Sequence, residues 1–341
     1  MLDILQNLLQ QELELADKIE NLTKLYGEAS NRTFYRLHLA GGKTFIIMQL
    51  PKGAASVSEE ITNLKDKPKE LPFLNINYYL KNIGIKVPQA FVYSKKNNLI
   101  ILEDLGDDLL ARKVENTDQD QQKIWYQKAI DLLVELQTKT AKPDQVGCIA
   151  FQRSFDAYLL NWEFDHFLEY GIECRLNKKI SDSDKNILVE QMHQITEEIA
   201  NLPYGFTHRD FQSTNIMVKE NELYLIDFQD ALLGPRVYDL VALLRDSYVE
   251  LSTELVEDLL KYYAKKQGVD FNLLQKEFDL VTCQRKLKDA GRFVYIDQVK
   301  NNPKYLKFIP LSLAYVREAL ERLPEYKELY HILEKYVPEF K

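Results

Sequence analysis

The sequence has few cysteines, glycines and prolines, and each scarcity argues against a class of protein. Cys148, Cys174 and Cys283 stand far apart with no Cys-x-x-Cys spacing, so a disulfide framework or a structural zinc site is not expected. Twelve glycines and eleven prolines exclude a collagen-like or low-complexity chain. Because 45% of the 341 residues are hydrophobic, the chain can bury a sizeable core as one large domain or two ordinary ones.

The sequence also lacks a long apolar run and an excess of positive charge. No stretch approaches the roughly 18 apolar residues of a membrane helix, and Asp3 with later acids interrupts the N-terminus where a signal peptide would be unbroken. Lys and Arg number 44 against 52 Asp and Glu, which gives a net charge of −8. We therefore expect a cytoplasmic protein with no membrane partner and no nucleic-acid partner, although a local pocket can still bind a small anion.

The first third of the chain has the pattern of a small sheet. Residues 34–40 and 43–50 are rich in aromatic and β-branched side chains and flank a Gly-Gly turn. Residues 89–105 predict two more strands around a polar turn, and residues 70–82 have helical periodicity. The pattern predicts four or five strands with one inserted helix.

Most of the remaining chain has helical periodicity. Helices are predicted at residues 2–17, 119–138, 152–170, 182–200, 236–249, 252–266, 271–298 and 309–322. Residues 215–218 and 223–227 predict a β-hairpin among them. The sequence therefore predicts an α+β protein with a sheet lobe over residues 1–106 and a mainly helical lobe over residues 107–341 that carries the hairpin.

The informative segment is residues 207–240. His208-Arg209-Asp210 is followed by Asn215 and, twelve residues later, by Asp227, which is the order of the kinase signature H-R-D-x-x-x-x-N and its second acid. Phosphoryl transfer needs a carboxylate beside the attacking hydroxyl and hard oxygen ligands for Mg²⁺ on the nucleotide phosphates. Taken singly, Asp210 could cap a helix and Asp227 could end a strand. The ordered set favours Asp210 as the catalytic base, with Asn215 and Asp227 as metal ligands at the ends of the predicted hairpin.

Two segments carry a resemblance to a known family. HRDFQSTNIM (208–217) and LIDFQDALLGPRVYDLVALL (225–244) resemble the aminoglycoside phosphotransferase-like kinases, and most nearly the bacterial anomeric kinases of N-acetylmuramic acid and N-acetylglucosamine in cell-wall recycling. A weaker likeness runs through residues 27–37, 45–51, 84–91 and 100–106. The resemblance implies a bilobal protein-kinase-like fold, ATP and Mg²⁺ as cofactors, and a small alcohol or sugar as the acceptor.

The resemblance also implies roles for individual residues. Gln212 stands where related kinases place a Lys or His near the γ-phosphate, and His208 and Asp239 match residues that support the catalytic loop. The residues implied for the nucleotide are Ser30, Asn31 and Arg32 in the phosphate-covering turn, Met48 on a strand, and the backbone of Glu103 and Leu105 at adenine.

The sequence departs from the kinase pattern at two places. Met48 occupies the strand position of the phosphate-pairing Lys, and the helix near Asn75 offers no evident partner Glu. The absence of both the Lys and the Glu is self-consistent, because either charge without the other would be unpaired. Arg32 could supply the missing positive charge or could be merely solvated, and its turn lacks a G-x-G-x-x-G pattern.

The spacing after Asp227 bears on the acceptor. Only twelve residues separate it from Asp239, which leaves no room for the peptide-holding segment of a protein kinase and favours a small molecule. The resemblance suggests that residues 152–175 line the acceptor cleft, with Glu163 and Asp165 binding hydroxyls, although an ordinary amphipathic helix has the same pattern. We predict an ATP-dependent amino-sugar kinase. An aminoglycoside, choline or another metabolite alcohol stays open as acceptor, as do a nucleotide-binding pseudokinase scaffold and the oligomeric state.

Overall fold

The structure is a computed structural model that describes residues 1–25, 32–51, 70–141 and 147–341. Ser30 and Asn31, predicted to contact the nucleotide, lie outside the described residues. The chain divides into two compact units, Met1–Asp108 with Met217–Asp230, and Leu109–Ile216 with Ala231–Lys341. In the described ranges, no helix combines the length and the apolar character needed to cross a membrane.

The core of the first unit is a five-stranded antiparallel sheet of spatial order β1-β2-β3-β5-β4. Its strands are β1 (Ile19–Leu25), β2 (Thr33–Leu39), β3 (Thr44–Gln49), β4 (Ala90–Ser94) and β5 (Leu99–Glu103), and its helices are α1 (Leu2–Leu13) and α2 (Pro72–Asn82). Because side chains alternate between the faces of a strand, Leu37, Phe45 and Ile101 share one face, which packs against Leu5 and Leu9 of α1. Burial of each such side chain stabilises the fold by about 1.5–3 kcal/mol.

Helix α1 ends four residues before the predicted end. Glu14 adopts a left-handed conformation with φ 53°, and the Leu15 N–H donates to the Leu9 carbonyl at 3.0 Å. The left-handed residue ends the helix and redirects the chain toward β1 at Ile19.

The predicted hairpin forms, as β7 (Ile216–Lys219) and β8 (Glu222–Leu225). The sequence places it in the helical lobe, whereas the structure groups residues 217–230 with the sheet unit. The Val218 N–H donates to the Asp108 carbonyl at 2.8 Å, and Lys219 Nζ pairs with the Glu103 carboxylate at 2.8 Å. Such bonds join residues more than 100 positions apart, so local periodicity does not show them.

The second unit is mainly helical. Its helices are α3 (Leu110–Val114), α4 (Gln119–Thr140), α5 (Ala157–His166), α6 (Asp182–Ala200), α7 (Tyr238–Leu244), α8 (Thr253–Gln267), α9 (Phe271–Lys300), α10 (Ile309–Glu321) and α11 (Lys327–Tyr336). The strands β6 (Tyr204–Thr207) and β9 (Leu232–Pro235) pair antiparallel. The sequence pattern does not predict this pair, because four-residue strands carry little periodicity.

The helix predicted over residues 152–170 has different bounds. Asp156 accepts a hydrogen bond from the Leu159 N–H at 2.8 Å, which caps the N-terminus and starts α5 at Ala157. The helix then continues as a π-helical turn over Phe167–Cys174. Such turns occur frequently at functional sites.

The helix predicted over residues 236–249 is shorter, because α7 stops at Leu244. Beyond it, the Asp246 carboxylate accepts from the Tyr248 N–H at 2.9 Å and from the Ser213 N–H at 2.8 Å. The local bond to Tyr248 competes with the helical hydrogen bonds, and the bond to Ser213 ties the segment to the loop at residues 208–215.

Candidate active site

Residues 208–215 form the catalytic loop of the sequence motif, and they follow β6. The buried Asp239 carboxylate accepts hydrogen bonds from the N–H of His208 at 2.7 Å and of Arg209 at 3.0 Å. Burial raises the pKa of Asp239 to about 7, against the lowering effect of these bonds. Arg209 has φ 77°, which is unfavourable for a residue with a side chain. The bonds to Asp239 therefore hold the loop in a conformation that it would not adopt alone.

Asp210 is surrounded by positive charge. Arg285 of α9 donates from Nη2 to Asp210 Oδ1 at 3.3 Å and from Nη1 to the Arg209 carbonyl at 2.7 Å. Burial raises the pKa of Asp210, but the positive charges of Arg285, Lys288 and Arg209 together lower it by more. The pKa of Asp210 therefore lies below the ordinary value of an aspartate. The side chain is 35% exposed. Asp210 is therefore an ionised carboxylate within reach of a ligand, as a general base requires.

Asn215 ends the loop. Its Nδ2 donates to the Asp210 carbonyl at 3.0 Å, and its N–H donates to the Gln212 carbonyl at 2.8 Å. Since the amide nitrogen is engaged, the amide oxygen is the atom that can meet a cation. Gln212 is half-buried, and Ser213 beside it is buried against Asp246. The loop thus keeps Asn215 and Asp210 on one rigid turn.

Asp227 follows β8 in the first unit and also has a positive φ, 64°. Its carboxylate is 41% exposed, pairs with Arg32 Nη2 at 2.9 Å and accepts from Gln229 Nε2 at 3.0 Å. Arg32 also donates to Gln229 Oε1 at 2.8 Å. Both the Arg32 and the Gln229 bonds reach Asp227 Oδ1, so a metal ion would meet this carboxylate at Oδ2.

The donors fit Mg²⁺, which prefers carboxylate and amide oxygens and takes its other ligands from phosphates and water. Within the ranges that the structure describes, no group of three or more His, Cys, Asp or Glu side chains is arranged around a metal position. A cation at Asp227 would therefore depend on the nucleotide phosphates for part of its coordination. The roles of Asn215 and Asp227 as metal ligands stay a prediction.

The other residues predicted to contact the nucleotide are Met48 on β3 and, at adenine, Glu103 and Leu105 at and just after the end of β5. Met48 is fully buried, so its thioether packs inside the unit. The backbone N–H and carbonyl of Leu105 form no hydrogen bond with any of the described residues, which is the state that a backbone group binding adenine would have. Glu103 pairs with Lys219 through its side chain. Their nucleotide role stays a prediction.

Sequence reasoning missed Arg36, which fixes the segment after β5. Its Nε and Nη2 donate to the two Asp104 carboxylate oxygens at 2.6 and 3.0 Å, and Nη1 donates to Asp107 at 2.9 Å. A two-pronged guanidinium–carboxylate pair sets distance and orientation together. Asp104 and Asp107, the two acids after the strand, are visible in the sequence, but no local sequence pattern identifies Arg36 as their partner.

The two carboxylates predicted for the acceptor lie on different faces of α5, because two residues correspond to about 200° of rotation. Glu163 is buried, accepts from Gln284 Nε2 at 2.7 Å and pairs with Arg209 Nη2 at 3.2 Å. Asp165 is exposed. Glu163 therefore contacts the catalytic loop through Arg209, and the acceptor role of both residues stays a prediction.

Helix α9 contributes a basic face that the sequence analysis did not use. Arg285, Lys288 and Arg292 recur at i, i+3 and i+7, which places them on one side of the helix. Arg285 contacts Asp210 directly, and Lys288 lowers the pKa of the same carboxylate. The sequence shows this spacing, but it does not show that the three side chains lie near Asp210.

Comparison with known proteins identifies a phosphotransferase family and named kinases that resemble this chain. A model of the phosphotransferase enzyme family matches residues 21–272. The N-acetylmuramate/N-acetylglucosamine kinase of Neisseria meningitidis is 27% identical over 325 residues, which cover 93% of this chain and 91% of that protein. The protein of the same name from Pseudomonas putida is 27% identical over 318 residues, which cover 91% and 86%.

Two solved structures share the fold. The choline kinase LicA from Streptococcus pneumoniae has a TM-score of 0.60 at 16% identity, over 95% of this chain and 99% of that one. The ADP-bound aminoglycoside phosphotransferase APH(2'')-Ib has a TM-score of 0.59 at 15% identity, over 99% and 98%. At such identities the likeness concerns the fold alone, and it confirms the predicted α+β, protein-kinase-like class.

Proposed function

This chain belongs to the phosphotransferase enzyme family, and we propose that it transfers the γ-phosphoryl group of ATP to a hydroxyl of an amino sugar of the N-acetylmuramate or N-acetylglucosamine type. The predicted resemblance and the enzyme class, a small-molecule kinase, are confirmed by the family match and the named relatives. The observation that carries the proposal is the ionised Asp210, positioned by Arg285 on a loop that Asp239 holds in place.

In the proposed reaction the acceptor oxygen forms a bond to the γ-phosphorus while the bond from that phosphorus to the bridging oxygen of ADP breaks. Asp210 accepts the proton of the acceptor hydroxyl, which it can do at neutral pH because its pKa is lowered. Asn215 and Asp227 are the proposed Mg²⁺ ligands, and the bound ion would neutralise phosphate charge. The backbone at Leu105 would bind adenine, and Arg32 would supply the charge that Met48 lacks.

The charges near Asp210 favour an amino sugar over a polycationic aminoglycoside or choline. The cations there are Arg209, Arg285, Lys288 and Arg292, and the carboxylates are Asp210, Glu163, Asp289 and Asp239, the last with a pKa raised to about 7 by burial. An added positive charge a few ångströms from such cations is repelled, whereas a neutral or anionic sugar is not. A pseudokinase scaffold would not need a positioned, ionised Asp210. A role in cell-wall recycling in the cytoplasm, where ATP is supplied, belongs to the same proposal.

The test is a turnover screen of the purified protein with Mg·ATP. The acceptors are N-acetylmuramate, N-acetylglucosamine, choline, an aminoglycoside and a peptide mixture, with ADP release as the signal and NMR to identify the phosphorylated hydroxyl. We expect turnover of the amino sugars at the anomeric hydroxyl. Turnover of choline or the aminoglycoside alone would reject the acceptor, and nucleotide binding without any turnover would reject the enzyme mechanism.

A further inference from the structure

Four aromatic rings meet where α9 packs against α5 and the π-helical turn. His166 lies 5.2 Å from Trp162, 4.7 Å from Tyr170 and 5.2 Å from Tyr295 between ring centroids, and Tyr170 lies 5.2 Å from Tyr295. Trp162, Tyr170 and Tyr295 are partly exposed. This aromatic cluster therefore keeps apolar ring surface that a sugar face can cover.

A glycine allows the close approach of the two helices. A Cβ added at Gly291 would lie 2.8 Å from the Phe167 Cα, closer than real Cβ atoms approach, and 3.0 Å from the His166 carbonyl oxygen, which is tighter than most such contacts. Gly291 thereby brings its neighbour Arg292 to the aromatic cluster, where the guanidinium carbon lies 4.9 Å from the Tyr295 ring centroid.

Arg292 differs from the other cations near Asp210 because it lacks a counter-ion. Arg209 pairs with Glu163 at 3.2 Å, and Lys288 pairs with Asp289 at 3.0 Å. Across the described part of the chain, no carboxylate forms an ion pair with Arg292, which is half-buried. A partly buried guanidinium without an anion is unfavourable, so the position is suited to an anionic ligand group.

The same cluster presents an unused polar atom. His166 is 8% exposed, and its Nε2 is buried without a hydrogen-bond partner in the structure. Burial, followed by the charges of Arg292 and Lys288, lowers the pKa of His166 to about 4. The imidazole is therefore neutral at physiological pH, and its Nε2 can form one hydrogen bond with a hydroxyl or an amide. Asp210 affects the pKa of Arg292, so the guanidinium lies within electrostatic range of the proposed base.

We propose that Arg292 binds a carboxylate of the acceptor while the aromatic cluster contacts the sugar, so that the enzyme prefers an amino sugar that carries an acid. The inference rests on the proposed function and narrows its substrate. N-acetylmuramate carries a carboxylate on its lactyl ether, and N-acetylglucosamine has a hydroxyl at that carbon. The two sugars therefore form a matched pair that differs in the group that Arg292 would recognise.

The test compares kcat/KM for the two sugars in the wild type and in Arg292→Gln. Hydrogen bonds to a charged group are worth about 1.5–3 kcal/mol, so we expect the ratio of N-acetylmuramate to N-acetylglucosamine to fall by roughly 10- to 100-fold. Arg292→Lys keeps the charge without the two-pronged geometry, so the ratio should fall by a smaller factor in that variant. The control Arg317→Gln makes the same change on α10, at a residue with only a 3.9 Å pair to Glu321 and a 3.4 Å bond to the Glu339 carbonyl, and should leave the ratio unchanged.

Each outcome decides the inference. An unchanged ratio in both Arg292 variants overturns it. A rise in the KM for ATP, with equal losses for the two sugars, assigns Arg292 to the nucleotide phosphates and also overturns it. If Arg292→Gln loses thermal stability, Arg292→Lys alone decides, through the same ratio. A wild type that phosphorylates neither sugar rejects the proposed function itself, and the inference with it.

Discussion

Asp210→Asn should remove catalysis while leaving the fold in place. The catalytic loop is held mainly by bonds that do not involve the Asp210 side chain. Asp239 accepts from two backbone N–H groups at 2.7 and 3.0 Å, and Arg285 donates to the Arg209 carbonyl at 2.7 Å. The change weakens the 3.3 Å bond from Arg285 to Asp210 and removes the charge attraction of Lys288 and Arg209. Because that bond is long and the Asp210 side chain is 35% exposed, the free energy of unfolding should fall by no more than about 1.5 kcal/mol.

The loss of turnover should be much larger than the loss of stability. Asn keeps the size of Asp and one oxygen, but it lacks the charge and most of the basicity. A general base contributes roughly 10²- to 10⁴-fold, which corresponds to about 2.7–5.4 kcal/mol of activation free energy. Because the pKa of Asp210 is below its ordinary value, the wild type should also keep its base ionised throughout the neutral pH range.

The assay combines steady-state kcat for the sugar, calorimetric ATP affinity and thermal unfolding. Asp258→Asn is a matched control, since Asp258 is an exposed residue of the same unit that pairs with Lys123 at the surface. We expect a kcat lowered at least a hundredfold with ATP affinity close to that of the wild type. A change in kcat below tenfold would show that Asp210 is not the base. A joint fall in ATP affinity and thermal stability would assign it a structural role.

Three further predictions follow from buried or charged groups. Asp227→Ala should abolish turnover and weaken Mg·ATP binding, because it removes a proposed Mg²⁺ ligand that also pairs with Arg32; full activity at millimolar Mg²⁺ would contradict that role. Met48→Ala should lower the free energy of unfolding, measured in urea, by about 2–5 kcal/mol, because the side chain is fully buried. The fall in kcat should be modest. A loss of kcat by several orders of magnitude with a normal fold would contradict this prediction. The lowered pKa of His166, about 4, means that the unfolded chain takes up a proton first as the pH falls from about 6.5. Stability should therefore decline by about 1.4 kcal/mol per pH unit between pH 6.5 and 4 from this residue, and a His166→Gln variant with the same slope as the wild type would refute it.

The sequence alone determined the class of this protein and the identity of its central motif. Histidine, aspartate and asparagine at fixed spacing over residues 208–215, with Asp227 after a strand, are recognisable because catalytic loops and hairpins are short-range structures. Helical and strand periodicity likewise located most elements, since each depends on contacts within a few residues or on one apolar face. The helix at Gln119–Thr140 and the strand at Thr44–Gln49 were predicted within two residues for that reason.

Only the tertiary structure decided which side chains meet. Arg285 reaches Asp210 across 75 positions, and Glu163 reaches Arg209 across 46. A sequence shows that such residues exist but not their partners, because many basic residues could pair equally well with a given acid. The hairpin's place in the first unit is of the same kind, as is the position of Arg292, which pairs with no described carboxylate, beside the aromatic cluster. Both result from packing between segments distant in the chain. The motif is local and can be recognised in the sequence, whereas the charges around Asp210 and the surface proposed to bind the acceptor depend on how the helices pack.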